Sequence, residues 1–198
     1  NAKKQGYDTL HFLARDGYLL QKVYDLLRPA DAPPSHYFYT SRKALLPYAI
    51  HQPRDLFSIA QSIQITSHTP AELLSLYAPL LRPLTEEDRK RYYEAGVLLD
   101  VPFRDMSSFV SFVRAVIEIS YDEKKAAASH SEMERYIRSI FQPHDAAIDL
   151  GYSGTLQGIL CSLAGYPIDV YFLYSNGSTS AHTADRYGFR MKCYYDYT

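Results

Sequence analysis

The sequence predicts an α/β protein built on a parallel sheet, and three observations carry that expectation. Short apolar runs end in turns rich in small or charged residues. Each of the first and third runs then gives way to apolar residues at helical spacing. A long central stretch is helical in pattern throughout. Strands joined through helices imply parallel pairing with right-handed crossovers. The expected organisation is an α/β core formed by residues 1–43 and 143–198, with an all-helical insertion at 44–142.

The first run is Thr9-Leu10-His11-Phe12-Leu13-Ala14, which ends at Arg15-Asp16-Gly17 and reads as a buried strand feeding a turn. Apolar residues at Leu19, Leu20, Val23, Leu26 and Leu27 then predict a helix over 18–27, closed by Pro29, Pro33 and Pro34. His36-Tyr37-Phe38-Tyr39 is the second strand candidate, followed by Thr40-Ser41-Arg42-Lys43. Helices are expected over 56–63, 71–81, 86–99, 107–120 and 121–141. Thr69-Pro70-Ala71-Glu72 and Thr85-Glu86-Glu87 offer a capping hydroxyl followed by proline or acids in the first turn. Ala146-Ala147-Ile148 resumes the α/β pattern and leads into Asp149-Leu150-Gly151-Tyr152-Ser153-Gly154-Thr155, with a helix over 156–164. Ile168-Asp169-Val170-Tyr171-Phe172-Leu173-Tyr174 is expected as the last strand, ending at Ser175-Asn176-Gly177. The tail from Tyr194 to Thr198 has no obvious closing element.

Composition narrows the function classes. The chain has 198 residues, 46% hydrophobic and 22% charged, which is a globular composition. A net charge of -1 gives no reason to expect nucleic acid as a partner. No run is long and apolar enough to span a membrane, so no transmembrane segment is expected. Cys161 and Cys193 are too few and too far apart for a disulfide scaffold or a metal cluster, which fits a reducing compartment. The start at Asn1, without Met or a signal peptide, suggests a domain cut from a longer protein. Tyrosine is frequent, at 19 residues, and reads as half-buried amphipathic surface or as a sugar or partner contact.

In a parallel sheet, ligands bind outside the carboxyl ends of the strands. Four turns belong there: Arg15-Asp16-Gly17, Ser41-Arg42-Lys43, the 149–155 segment and Ser175-Asn176-Gly177. The 149–155 segment places an acid, small residues and a helix start in series, which suits a phosphate held by backbone N–H groups. It lacks the lysine of a P-loop, and Tyr152 is large for such a loop. Asp16 is an acid for a pyrophosphate or its metal, or a helix cap, and Gly17 is expected to take positive φ. Arg42 and Lys43 are cations for a leaving pyrophosphate, or the solvated start of a helix. The seven histidines show no metal-ligand spacing; His130 is either a surface residue or faces the site.

These turns, in this order, resemble those of type I phosphoribosyltransferases, with a parallel-sheet core and an inserted hood. In that resemblance Asp149 through Thr155 match the loop for phosphoribosyl pyrophosphate (PRPP): Gly151, Tyr152, Ser153, Gly154 and Thr155 take its 5-phosphate. Arg15, Asp16 and Gly17 form the pyrophosphate loop, and Ser41, Arg42 and Lys43 the basic contact. The family has two adjacent acids before the phosphate loop, and here the first position is Ile148. The segments Phe12-Leu13-Ala14-Arg15-Asp16-Gly17-Tyr18-Leu19-Leu20, Tyr39-Thr40-Ser41-Arg42-Lys43-Ala44-Leu45 and Asp149-Leu150-Gly151-Tyr152-Ser153-Gly154-Thr155-Leu156-Gln157 also resemble modules of bacterial surface-polysaccharide ribofuranosyltransferases, often found beside a haloacid-dehalogenase-type phosphatase. The resemblance implies transfer of 5-phosphoribose from PRPP to a glycan acceptor, lipid-linked as in O-antigen synthesis, with release of pyrophosphate. It implies Mg²⁺ bridging the pyrophosphate, with Asp149 as a further metal contact, Asp149 and Asp16 as the catalytic acids, and a phosphatase domain or protein as partner. A cytoplasmic place, peripheral to the inner membrane at most, is expected.

Two other readings compete. Leu13-Ala14-Arg15-Asp16-Gly17-Tyr18 looks like the first motif of haloacid-dehalogenase phosphatases, but the nucleophilic Asp falls at Ala14. A non-catalytic module that binds a phosphosugar is the third reading.

Overall fold

The structure, a computed structural model, describes residues 2–61 and 63–197, without the side chains of Arg15, 58–61, Tyr152 and 196–197. Its main elements in chain order are β1 (Leu10–Leu13), α1 (Ala14–Leu27), β2 (Ser35–Phe38), α2 (Arg42–Leu45), α3 (Pro70–Leu76), α4 (Glu86–Glu94), α5 (Met106–Ile119), α6 (Glu123–Ile140), β3 (Ala146–Tyr152), α7 (Thr155–Ala164), β4 (Asp169–Asn176), α8 (Gly177–Tyr187) and β5 (Met191–Tyr197), with short 3-10 turns among them. The chain divides into two compact units, Asn1–Leu45 with Glu134–Thr198, and Leu46–Met133.

The first unit holds a five-stranded, all-parallel sheet in the order β2-β1-β3-β4-β5. From β1 the chain steps outward to β2. From β3 it steps the opposite way, through β4 to β5. Right-handed crossovers in opposite directions put their helices on opposite faces. The packing agrees. Leu20 and Tyr24 of α1 lie with Leu10, Phe12 and Ala146 on one face, and α7 packs closely on α8, where a Cβ on Gly158 would meet Tyr187 at 2.6 Å. Leu13 of β1 and Ala146 and Ala147 of β3 are fully buried, as expected for central strands of a parallel sheet.

Polar links fix the amino ends of the strands. Buried His11 pairs through Nε2 with Asp145 at 2.9 Å, and its Nδ1 lies 3.3 Å from Nδ1 of His36. Burial lowers the proton affinity of His11, against the opposing pull of Asp145. Tyr7 donates to Asp169 at 2.7 Å, and the Arg190 backbone N–H and Nε each donate to the same carboxyl at 2.7 Å.

The second unit is built of helices. Thr69 and Thr85 both form capping boxes, with Glu72 and Asp88, and Asp105 forms a third with Ser108. Its interior includes Leu73, Leu80, Tyr92 and Phe109, all fully buried, with the Tyr92 hydroxyl 2.6 Å from Ser120 Oγ. Arg82 grips Asp88 through two contacts of 2.6 Å, and the guanidinium, helped by the Thr85 N–H, holds the Asp88 carboxyl well below the usual carboxylate range.

Several elements differ from the sequence expectation. The helix after β1 starts at Ala14, four residues early, so Arg15-Asp16-Gly17 is a first helical turn and not a loop. The third strand does not stop at Ile148. It continues to Tyr152 because Gly151 and Tyr152 pair with Tyr174 and Ser175 of β4. The expected last strand is followed by α8 and a further strand, β5. α8 (Gly-Ser-Thr-Ser-Ala-His-Thr-Ala-Asp-Arg-Tyr) is too rich in Ser and Thr to show a helical stripe. β5 (Met-Lys-Cys-Tyr-Tyr-Asp-Tyr) has adjacent tyrosines that obscure an alternation. The long expected helix over 86–99 stops at Glu94, with Gly96 in the left-handed region at φ 76°.

Candidate functional site

The strand order reverses direction between β1 and β3, and the crevice outside their carboxyl ends is the topological switch point. The two best sequence candidates, Asp16 and Asp149, lie on the two sides of that crevice.

On the β1 side, the chain turns from strand to helix with no intervening loop. Ala14 absorbs the reversal at φ 52°, the one positive-φ residue other than glycine among the described residues. Such a conformation costs an alanine about 1 kcal/mol and concentrates at functional sites. Asp16 falls in the first turn of α1, where the helix dipole favours a carboxylate. It is not the cap; that position is Leu13, whose side chain makes no capping bond. Gly17 does not have the positive φ expected of it. Its role is close approach: a Cβ there would lie 2.8 Å from the backbone carbon of Phe12.

On the β3 side, Asp149 is half-buried in the strand. Burial pushes its carboxyl up to about 6, and the charge of Asp16 pushes the same way. The backbone N–H groups of Leu150 and Gly151, which donate to it, and the charge of Arg42 oppose the rise. Asp16 and Arg42 follow two other strand ends, yet the charges of both act on the Asp149 carboxyl. Gly151 is kinked at φ 99°, and a Cβ there would sit 2.1 Å from the carbonyl oxygen of Tyr174, so no other residue fits. The turn itself is only Ser153-Gly154, with Gly154 at φ 72° as the α7 cap. No side chain caps α7. The hydroxyls of Ser153 and Thr155 instead lie 3.0 Å from each other, and Thr183 of α8 donates to the Ser153 carbonyl at 3.1 Å. The first amides of a ten-residue helix therefore point outward at the end of a strand, the arrangement that receives anions.

The remaining candidates divide. Arg42 begins α2 and reaches Asp149 electrostatically; Ser41 caps α2, accepting from the Ala44 N–H at 3.1 Å; Lys43 is exposed. The side chains of Arg15 and Tyr152 lie outside the described residues. Ser175 and Asn176 are strand residues: Ser175 is buried against the Ser180 hydroxyl, and the Asn176 carbonyl accepts from Ser180 at 2.9 Å, so they anchor α8. His130 lies in the helical unit, its Nδ1 2.6 Å from the Tyr48 carbonyl and its ring against His51. Cys161 is a core residue whose thiol burial pushes up to about 11.

Sequence reasoning missed Ala14 and Thr183. Nothing local marks an alanine for positive φ, and Thr183 sits in a helix that was not expected. Among the described residues no group of three His, Cys, Asp or Glu side chains forms a metal site, and no helix is long and apolar enough to cross a membrane. No protein-family model matches the chain, and no curated protein matches it.

Proposed function

We propose that the sheet unit binds PRPP at the switch point between β1 and β3 and transfers its 5-phosphoribose to a glycan hydroxyl, releasing pyrophosphate. The observation that carries this reading is the joint action of Asp16 and Arg42 on the half-buried carboxyl of Asp149, beside an uncapped helix start. A half-buried carboxylate of raised proton affinity at a strand end, under the charges of a second acid and a cation, marks a candidate functional site on physical grounds. Its neighbours suit a ligand with both a phosphate and a polar ring. The resemblance of the three turns to those of polysaccharide ribofuranosyltransferases supports the choice of donor.

In this reading the α7 amides hold the 5-phosphate and Asp149 faces the ribose hydroxyls. As the C1–O bond to pyrophosphate breaks, positive charge grows on the sugar ring, and the fixed charge of Asp149 stabilises it. Arg42 offsets charge on the leaving pyrophosphate. The acceptor oxygen then bonds to C1, and its proton leaves to a base, for which Asp16 is the candidate. Mg²⁺ fits the acid pair: it favours one or two carboxylates together with substrate phosphates, and here two carboxylates repel each other with no third protein ligand among the described residues. When bound, it supplies charge neutralisation on the pyrophosphate.

The test is incubation with PRPP, Mg²⁺ and a synthetic or lipid-linked glycan acceptor, read by mass spectrometry for addition of phosphopentose. Transfer that falls about a hundredfold or more in Asp149→Asn supports the reading. Binding of PRPP with no transfer to any acceptor points to a binding module. Phosphate release from a simple phosphomonoester, abolished by Asp16→Asn, points to a hydrolase.

A further inference from the structure

We propose that two copies of this chain pair through the α1 face of the sheet, each copy's α1 seated on the open β4–β5 floor of the other. Parallel sheets need helices on both faces. On the opposite face α7 and α8 supply them. On this face α1 packs against β1, β2 and β3, and beside it lies an open groove of about 500 Å³. Its floor follows from the register: Ile148, Tyr171 and Lys192 are cross-strand neighbours on one face, and Leu173 and Tyr194 follow two residues along their strands; Asp149, Phe172 and Cys193, which also border it, are the alternating positions and belong to the opposite face.

The helix beside that groove is unusually apolar for a surface. Leu19, Val23, Leu26 and Leu27 recur at i, i+4, i+7 and i+8 on α1 and are 68%, 46%, 84% and 78% exposed. The stripe turns away from β2. Gln21 donates to Ser35 and Tyr18 packs on Tyr37, so those positions mark the β2 side. Leu20 lines the groove, and Val23 and Leu27 continue its side of the helix at i+3 and i+7. The chain thus carries a sheet floor that lacks a helix, and a helix with a surplus apolar stripe, side by side. A two-fold axis satisfies both at once, because an isologous contact makes each pairing twice.

The dimensions agree. α1 has 14 residues, about 21 Å, and β5 has seven, about 23 Å. Half the lateral surface of such a helix, at a diameter of about 11 Å, is about 360 Å². With its own helix and its own floor engaged, each copy buries about 700 Å², close to the ~800 Å² per partner of a standard stable interface. A net charge of -1 leaves little repulsion between copies.

The experiment is sedimentation equilibrium of the wild-type chain under reducing conditions, from low micromolar to several hundred micromolar. A reversible monomer–dimer equilibrium is expected. Leu19→Glu/Leu26→Glu, both on the exposed stripe, and Tyr194→Glu on the floor should each raise the dimer Kd more than about a hundredfold, with far-UV circular dichroism unchanged. If the double variant fails to fold, Tyr194→Glu decides. A wild-type chain that stays monomeric throughout overturns the proposal, as does a dimer whose Kd neither folded variant changes.

Discussion

Replacing Asp149 by Asn should stabilise the protein at neutral pH while removing the proposed transfer activity. Asp149 has a carboxyl raised from 3.8 to about 6, chiefly by burial. At about 1.4 kcal/mol per tenfold change in proton affinity, the ionised form costs the folded state about 3 kcal/mol. Solvent still reaches a half-buried carboxylate, which brings the expected figure nearer to about 2 kcal/mol. The sign follows from the raised affinity. The protonated side chain favours the folded state, so its contribution is fully present below about pH 4 and is lost as pH rises through about 6. Asparagine carries no charge and keeps an oxygen for the Leu150 and Gly151 N–H groups. The chain has no Trp, so urea unfolding followed by circular dichroism is the assay. Asp149→Asn should match wild type near pH 4 and exceed it by about 2 kcal/mol at pH 8. A difference that does not change with pH, or a variant less stable than wild type at pH 8, would refute the argument. Stability gained where transfer is lost is the signature of a residue kept for chemistry.

Other expectations rest on packing and titration elsewhere in the sheet unit. Gly151→Ala combines a φ of 99° with a Cβ 2.1 Å from the Tyr174 carbonyl, so it should cost more than about 3 kcal/mol or abolish soluble expression; a normal Tm would contradict that geometry. At Ala14, φ 52° tolerates glycine but penalises a β-branched residue. Ala14→Val should lose about 2 kcal/mol in urea unfolding and Ala14→Gly should stay within about 1 kcal/mol of wild type; equal stability of the two would remove the strain. Burial lowers the proton affinity of His11, so stability should be intact above about pH 6.5 and fall as pH drops below it. His11→Gln should flatten that acid limb, and an unchanged slope in urea titrations at pH 7 and 5 would exonerate His11.

The residues of the candidate site were legible in sequence, and their geometry was not. Asp16, Arg42 and Asp149 stood out because apolar runs ended just before them. The sequence could not show that Gly17 serves close packing while Ala14 carries the positive φ. That depends on the distance between α1 and the Phe12 backbone. Nor could it show that Asp149 lies inside a strand, since the extension past Ile148 comes from pairing with β4, a segment 23 residues away.

By itself the sequence determined the α/β class, the parallel sheet, the helix caps at Thr69 and Thr85 and the set of strand-end residues. These follow from local periodicity and turn chemistry, which neighbouring residues encode. Tertiary structure decided the strand order, and with it which two strand ends form the crevice. It also decided the α8–β5 ending and the unusual proton affinity of Asp149. Those depend on burial and on charges from distant strands, which no window of sequence contains.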